Sequence, residues 1–250
     1  RTEVLRDANV DPHSVIYRPF SREPVGVRFM DGTLRAVFFE PSSREARLQS
    51  MLDASFDGDA ALITSRTRDG RLALVTTWSD RNPGDFYVFD VEAKKADYIL
   101  SRREWFDPAR MGAMRPVAIA ARDGMKLHGY LTVPHGAEAN KLPMVVKVHG
   151  GPIGVFDTLG FEEESQMLAQ AGYAVLQVNF RGSGNYGRAF RESGNGEWGA
   201  KMQDDVTDAT RWAIEQGIAA PGRICLYGAS YGAYAAMMGL VREPDLYACG

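Results

Sequence analysis

The chain has 250 residues, of which 45% are hydrophobic, and a formal net charge of -3. This length suffices for one large or two smaller domains with a buried core. A weakly acidic balance without a lysine or arginine cluster predicts no nucleic-acid partner. No apolar stretch approaches the length of a membrane span, so no membrane partner is predicted. The sequence does not define a compartment, although the cytoplasm is favoured over the periplasm or secretion.

Up to about residue 105 the sequence is a series of short alternating strands separated by turn residues. Asp31-Gly32 and Asp69-Gly70 interrupt alternating runs within 25–38 and 61–78. Asp-Gly between such runs is a strong hairpin signal, because type I′ turns need positive φ at both central residues. Antiparallel strands in units of roughly forty residues indicate β-propeller blades, although a β-sandwich would give much the same pattern. The pattern of residues 1–108 therefore leaves both folds open.

After Trp105 the pattern changes to strands that alternate with helices. The predicted elements are a hairpin at 117–133, a strand at 144–148, a helix at 161–171, a strand at 173–180, a helix at 202–213 and a strand at 224–227. Continuous apolar, β-branched runs are typical of strands buried on both faces. Strands alternating with helices predict a mainly parallel sheet with helices on both faces. Residues 109–250 are therefore predicted to be a second, α/β domain.

The last predicted strand leads into the most informative motif of the chain. The turn Gly228-Ala229-Ser230-Tyr231-Gly232 connects it to an Ala- and Met-rich helical run. This is the G-x-S-x-G nucleophile elbow, in which the serine lies on a strained strand-to-helix turn. Positions 228 and 232 require glycine because the strand and helix backbones come too close for a side chain at either position. The motif predicts that Ser230 is a catalytic nucleophile.

A second motif, His149-Gly150-Gly151-Pro152, directly follows the strand at 144–148. In α/β-hydrolases this strand-end loop supplies one backbone N–H of the oxyanion hole, and the residue after the nucleophile supplies the other. Adjacent glycines let the backbone approach a substrate carbonyl closely. Standing alone, the motif would be an ordinary Gly-Gly turn; upstream of an elbow, the oxyanion-hole interpretation is favoured.

A third glycine-rich stretch, 182–187, fits the dinucleotide fingerprint G-x-G-x-x-G. That fingerprint should open a helix directly and have an acidic residue at the end of the next strand. Here a polar stretch follows, and Asp204 and Asp205 fall at the start of a helix instead. The stretch is therefore interpreted as a flexible loop near the active site, and no nicotinamide or other cofactor is predicted.

The two cysteines, Cys225 and Cys249, lie in apolar, strand-like sequence. They are interpreted as buried thiols, with a disulfide as the alternative. Their spacing matches no zinc pattern, so no metal site is predicted.

Three segments together, 149–152, 179–187 and 228–234, resemble the prolyl oligopeptidase family of serine peptidases. The similarity is closest to its acylaminoacyl-peptidase and dipeptidyl-aminopeptidase-like branch and covers roughly residues 60 to 250. The resemblance implies a β-propeller, with residues 1–108 as its C-terminal part, that caps an α/β-hydrolase domain. It also implies that the enzyme cleaves short peptides. By position it implies Ser230 as nucleophile and the Gly151 and Tyr231 N–H groups as oxyanion hole. The supporting positions are His149, Gly150, Gly228 and Gly232.

The remaining triad members are not found in the chain. On this fold the order is Ser, then Asp or Glu, then His. The histidines, His13, His128, His135 and His149, all precede Ser230. Asp245 follows the nucleophile too early, one helix later. The catalytic Asp and His are therefore predicted to lie outside this chain, which is interpreted as an internal fragment.

The sequence thus predicts the first part of an α/β-hydrolase fold, through the elbow, preceded by antiparallel propeller blades. The favoured function is a serine peptidase that acts on short peptides through an acyl-enzyme intermediate. A carboxylesterase or lipase on the same fold would use identical chemistry, and only the propeller-like part and the resemblance argue against it. A non-catalytic binding module stays open because the base is missing, and homo-oligomerisation is also left open.

Overall fold

The structure is a computed structural model that describes residues 3–250. The chain forms two compact units that meet in sequence between Ala109 and Arg110. None of the helices in this described part is both long and apolar enough to cross a membrane.

The first unit begins with a three-stranded antiparallel sheet. Its strands are β1 (Pro12–Tyr17), β2 (Pro24–Asp31) and β3 (Thr33–Phe38), in that spatial order. The hairpin between β2 and β3 turns at Gly32, which has a φ of 76°. Glycine adopts this left-handed conformation without the steric penalty that a Cβ brings. The Asp31-Gly32 signal therefore predicted this hairpin correctly.

A helix, α1 (Arg44–Ser55), follows the first sheet. The Ser43 hydroxyl caps it by accepting a hydrogen bond from the Ala46 N–H at 3.2 Å, and Leu48 and Leu52 are buried. The sequence pattern predicts only strands in this region, and that prediction is wrong. A serine N-cap and apolar residues four positions apart stabilise a helix, but the many polar residues between them weaken the signal.

The first unit ends in a four-stranded antiparallel meander. Its strands are β4 (Ala60–Arg66), β5 (Leu72–Trp78), β6 (Asp85–Asp90) and β7 (Lys95–Ser101), which lie side by side in chain order. Val75 and Phe89 pack with Leu48 and Leu52 of α1 in a small apolar core. Burial of these side chains ties the helix to the meander.

The second unit is built on a five-stranded mixed sheet. Its strands are β8 (Ala113–Ala120), β9 (Lys126–Val133), β10 (Leu142–Val148), β11 (Ala174–Asn179) and β12 (Ala219–Gly228). The spatial order is β12-β10-β11-β9-β8. The strands β12, β10 and β11 are parallel, and the β8–β9 hairpin joins β11 antiparallel. The α/β class predicted for this part of the chain is confirmed.

Four helices accompany this sheet. They are α2 (Glu163–Gln170), α3 (Gly187–Glu192), α4 (Lys201–Glu215) and α5 (Tyr231–Arg242). The apolar face predicted for α4 is buried, from Met202 to Ala213. The short helix α3 begins at the last glycine of the 182–187 stretch, so the prediction that no helix opens there is wrong.

The strand register brings the two catalytic motifs to one edge of the sheet. Val148, the last residue of β10, pairs with Gly228, the last residue of β12. The neighbouring parallel strand β11 ends at Asn179. Open α/β sheets bind their ligands at the carboxyl ends of parallel strands, so this edge is the expected place for a site.

The two cysteines form a disulfide, which corrects their interpretation as buried thiols. Cys225 lies on β12, and the Cys225 and Cys249 Cα atoms are 4.7 Å apart. Hydrogen bonds from the Ala248 N–H to the Ile224 carbonyl and from the Leu226 N–H to the Cys249 carbonyl place the second cysteine parallel to β12. Cys249 is exposed rather than buried. The prediction failed because it relied on local apolar sequence, whereas pairing depends on this strand contact.

Candidate active site

The nucleophile elbow is formed where β12 ends and α5 begins. Ser230 is exposed and has φ 57° and ψ -119°, outside the regions that L-residues favour. Such a backbone conformation costs about 1–3 kcal/mol and persists only where the surroundings impose it. The N–H groups of Ala233 and Tyr234 both donate to the Ser230 carbonyl, at 3.1 and 3.2 Å. The first turn of α5 thus holds the strained residue in place.

The two elbow glycines are required by close backbone contacts. A Cβ on Gly228 would lie 2.6 Å from the Val148 carbonyl oxygen and 2.6 Å from the Gly232 carbonyl carbon. A Cβ on Gly232 would overlap the same Val148 oxygen. Neither backbone can move aside without breaking the pairing of β10 with β12. The structure therefore contains the close strand-to-helix approach that the motif predicts.

The glycine loop after β10 runs directly beside Ser230. A Cβ on Gly150 would lie 3.3 Å from the Ala229 carbonyl oxygen and 3.6 Å from the Ser230 Cβ. Gly151 has a φ of 114°, which favours glycine, and precedes Pro152. The two motifs, separated by almost eighty residues in sequence, are thus neighbours in space.

The His149 side chain is turned away from solvent and holds the glycine loop. Its Nδ1 lies 2.7 Å from the Gly150 carbonyl oxygen and its Nε2 lies 2.9 Å from the Ser183 hydroxyl. The ring also stacks on Phe180 at 4.4 Å. A carbonyl oxygen only accepts, so Nδ1 donates to Gly150. The Ser183 hydroxyl lies between the His149 ring and the Phe180 carbonyl oxygen, to which it donates at 2.7 Å. Burial lowers the pKa of His149, which favours the neutral form.

The glycine-rich stretch 182–187 supports the first loop. The Gly154 N–H donates to the Gly182 carbonyl at 2.9 Å, and the Gly184 N–H donates to the Val155 carbonyl at 3.1 Å. A Cβ on Gly184 would overlap the Gly154 carbonyl oxygen. Residues 182–185 are buried. The prediction of a flexible loop is therefore wrong, because these glycines allow two loops to lie in direct backbone contact.

Arg181 anchors the second loop through a buried ion pair that sequence reasoning missed. Its Nη2 lies 2.7 Å from the Asp205 carboxylate, and its Nη1 lies 2.8 Å from that of Asp123. The Arg181 N–H also donates to Asp205 at 2.8 Å. The arginine side chain is 3% exposed and that of Asp205 is 0% exposed. The hydrogen bond from the Arg181 side chain to Asp123 is the main cause that lowers the pKa of Asp123 to about 2. The arginine directly after an apolar strand was the sequence feature that could have indicated this buried ion pair.

Asn179 and Asp157 form a second polar contact behind the glycine loop. The Asp157 N–H donates to the Asn179 side-chain oxygen at 2.8 Å, and the Asn179 amide donates back to the Asp157 carbonyl at 2.9 Å. The Asp157 Oδ2 is buried without a hydrogen-bond partner among the described residues. Burial raises the pKa of Asp157. Burial thus shifts the pKa values of Asp157 and His149 in the direction of their uncharged forms. Sequence reasoning did not single out Asp157.

No general base lies beside Ser230 in residues 3–250. His149 is occupied by Gly150 and Ser183, and His128 on β9 stacks on Tyr186 at 3.8 Å. In the same described range, no three His, Cys, Asp or Glu side chains come together as a metal ion would require.

In this mixed sheet a parallel strand is followed by a strained serine and then by a helix, and a glycine loop lies beside the serine. This is the arrangement of the α/β-hydrolase nucleophile elbow. Comparisons with known proteins extend this class. A family model described as "Prolyl oligopeptidase family" matches residues 159–250. Residues 159–250 thus match the prolyl oligopeptidase family, and the resemblance found in the three segments is confirmed.

Similar proteins cover the remainder of the chain. "Dipeptidyl aminopeptidase BIII" of Pseudoxanthomonas mexicana is 37% identical over 259 residues, covering 100% of this chain and 37% of the relative. "Dipeptidyl peptidase family member 6" of Caenorhabditis elegans is 34% identical over 209 residues, covering 75% of this chain and 28% of the relative. A solved structure from a study of two prolyl endopeptidases has a TM-score of 0.69 at 19% identity, covering 97% of this chain and 35% of that one. This chain therefore spans about a third of the length of its relatives.

Proposed function

We propose that this chain is part of a serine peptidase that hydrolyses short peptides, of acylaminoacyl or dipeptidyl type, through an acyl-enzyme on Ser230. The observation that carries the proposal is the contact between the strained elbow and the glycine loop, with Gly150 directly beside Ser230. The names of the relatives, among them a dipeptidyl aminopeptidase, support a peptide as substrate.

In the proposed reaction the Ser230 hydroxyl attacks the peptide carbonyl carbon, and the carbonyl oxygen becomes an oxyanion. The Gly151 and Tyr231 N–H groups are proposed to donate to that oxygen. Tyr231 is the first residue of α5, so its N–H has no carbonyl partner within the helix, and the helix dipole favours negative charge there. Each such donor contributes about 2.7–4 kcal/mol to the transition state.

The proposed roles of four further residues are supporting ones. Gly228 and Gly232 permit the elbow, and Gly150 lets the loop pass beside Ser230. His149 positions the loop through its hydrogen bonds to Gly150 and Ser183. A serine attacks only when a base removes its proton, and no histidine follows Ser230 up to residue 250. We therefore expect the catalytic Asp and His in the part of the protein that corresponds to the remaining length of its relatives.

The two units are proposed to be parts of larger domains. Residues 1–108 would be the C-terminal part of a β-propeller, and residues 109–250 the first part of the hydrolase domain. The four-stranded meander β4–β7 supports a blade, because propeller blades are antiparallel sheets of this kind. A propeller that limits access predicts that the enzyme cleaves short peptides and leaves folded proteins intact. Rapid digestion of a folded protein by the purified full-length enzyme would contradict it.

A covalent probe tests the nucleophile. A fluorophosphonate should label the full-length protein stoichiometrically. The Ser230→Ala variant should not be labelled, and the Ser193→Ala variant should be labelled to the same extent as the wild type. Ser193 is a fair control because its hydroxyl contacts only the Phe190 carbonyl, at 2.7 Å, and the Met125 sulfur, at 3.9 Å, and neither belongs to the proposed catalytic residues. Persistent labelling of the Ser230 variant would exclude the assignment. Comparing a dipeptide or N-acyl anilide with an aryl ester distinguishes a peptidase from an esterase, because an esterase would turn over only the ester.

A further inference from the structure

The first unit contains a pocket of about 350 Å³, well separated in sequence from the proposed catalytic residues. Its lining comes from all three strands of the first sheet, from the turn after β1, from α1 and from β4. Pockets for small organic ligands have volumes of about 300–1,000 Å³. The pocket therefore has room for a ligand the size of one or two amino acids.

Two arginines in this pocket have no partner. Arg28 of β2 and Arg66 of β4 both line it and are half-buried. Neither takes part in a hydrogen bond or ion pair within residues 3–250. Burial lowers the pKa of both guanidinium groups. Charged groups that are partly removed from water are stabilised by a partner of opposite charge, so two unpaired guanidinium groups in one pocket are suited to binding an anion.

The acidic residue nearest these arginines does not neutralise them. Glu45 of α1 lines the pocket and attracts Arg66 electrostatically, but makes no ion pair in the described part of the chain. Arg44, beside it in sequence, acts on Arg66 with the opposite sign. The charge around the pocket therefore remains positive.

One part of the pocket wall is aromatic, whereas Gln49, Thr64 and Ser65 add uncharged polar groups to the lining. Tyr17 and Phe38 line the pocket together with Phe20, which is 75% exposed. Phe20 has a φ of 57°, and a bulky residue rarely adopts this left-handed conformation. The turn that contains it is closed by hydrogen bonds from the Arg18 N–H to Glu23 and from the Ser21 N–H to Arg18. An aromatic side chain is thus held in solvent at the pocket, where a ligand could cover it.

We propose that this pocket binds an organic carboxylate that carries an apolar or aromatic group, such as the free C-terminal residue of a hydrophobic peptide. A guanidinium group binds a carboxylate through two parallel hydrogen bonds, which a simple point charge does not provide. Arg28 and Arg66 bind the carboxylate, and the aromatic wall contacts the apolar group. The lining residues all belong to the first unit and do not include Ser230, so the proposal does not depend on the proposed peptidase reaction.

The test is a ligand-observed NMR titration of the full-length protein with N-acetylphenylalanine, expected to bind with a dissociation constant of about 1 mM or tighter. N-acetylphenylalanine amide has the same shape without the charge and should bind at least tenfold more weakly. Arg28→Gln and Arg66→Gln should each weaken binding of the acid about tenfold. Arg68→Gln removes an exposed arginine two residues from Arg66 that does not line the pocket, and should bind like the wild type.

A variant that binds more tightly than the wild type provides a control, because misfolding can only weaken binding. Glu45→Gln removes the carboxylate that competes for Arg66 and should tighten binding about two- to fivefold. Covalent modification of Ser230 should leave binding unchanged, because the catalytic residue is not involved. Equal binding of the amide, unchanged binding in both arginine variants, or loss of binding after modification of Ser230 would each overturn the proposal. Binding of inorganic phosphate as tight as that of the acid would overturn the apolar part of it.

Discussion

The two units of the chain place their polar groups in opposite ways. In the described part of the first unit, the buried polar side chains are Thr76, Thr77 and Asn82. Its ion pairs, such as Arg71 with Asp90, lie at the surface, with the arginine 59% exposed. Exposed pairs of this kind contribute little to stability. The first unit is therefore held together by strand pairing and a small apolar core.

The second unit buries charged and polar groups that hold the loops of the proposed site. Arg181 and Asp205 are almost completely buried, and His149 is 8% exposed. A buried charge that loses its partner is strongly destabilising, whereas a complete network fixes one arrangement of the loops. The difference teaches that the buried charges of the described residues lie in the unit whose loops form the proposed site.

The largest effect is expected from the elbow glycine. Gly232→Ala should reduce the free energy of unfolding by more than about 4 kcal/mol, because its Cβ would overlap the Val148 carbonyl oxygen. The matched change in the first unit is Gly32→Ala. No atom lies within 4 Å of the position of a Cβ on Gly32, so only the left-handed backbone conformation lowers the free energy of unfolding, by about 1–2 kcal/mol. Urea unfolding of both variants gives the two values, and equal losses would remove the distinction between the units.

The buried ion pair should produce the next largest effect. Arg181→Met leaves the buried Asp205 carboxylate unpaired and should cost about 3–5 kcal/mol. Arg71→Met, its counterpart in the first unit, should cost less than about 1 kcal/mol. The double variant Arg181→Met/Asp205→Leu should recover much of the loss. If it is no more stable than Arg181→Met alone, the unpaired charge is not the cause.

Loss of the disulfide should have a somewhat smaller effect. Both cysteines lie in the second unit and close a loop with a sequence separation of 24. Cys249→Ser should therefore lower the free energy of unfolding of that unit by about 3 kcal/mol and leave the first unit unchanged. Peptide mapping without reductant should recover the two cysteines as one linked pair. Free thiols at both positions under these conditions would contradict the pairing.

The smallest effect concerns acid stability and Asp123. Its pKa is lowered to about 2 in the folded protein from an ordinary value of 3.8, chiefly by Arg181. A lowered carboxyl pKa stabilises the fold above the ordinary value, and this contribution disappears as the pH falls through about 2. The side chain is 38% exposed, so solvent screening keeps the contribution below about 1 kcal/mol. Asp123→Asn should thus be less stable than the wild type at pH 7, and the difference in free energy of unfolding should shrink as the pH falls and vanish below pH 2. A difference that is the same at pH 7 and below pH 2 would show another cause.

Local signals predicted much of this structure. Asp31-Gly32 marked a hairpin, the β-branched run at 144–148 marked a buried strand, and Gly228 to Gly232 marked a strand-to-helix turn. Each of these depends on residues adjacent in sequence, where backbone conformation and burial leave a direct pattern.

The elements that were missed depend on contacts between distant segments or on weak local patterns. The pairing of Arg181 with Asp205 needs the loop after β11 to meet α4. The disulfide needs Cys249 to run beside β12. Helix α1 was missed because only its capping serine and two leucines mark it among polar residues. Composition carries no record of such tertiary contacts.

The backbone of Ser230 also limits which amino acids could ever serve as nucleophile at this position. With φ at 57°, a residue branched at Cβ is a steric outlier, whereas an unbranched one is tolerated. Ser230→Cys therefore retains the local geometry, but Ser230→Thr does not, although threonine keeps the hydroxyl. A cysteine nucleophile could therefore be introduced at this position without a change of backbone, whereas a threonine nucleophile would first require the turn to be rebuilt.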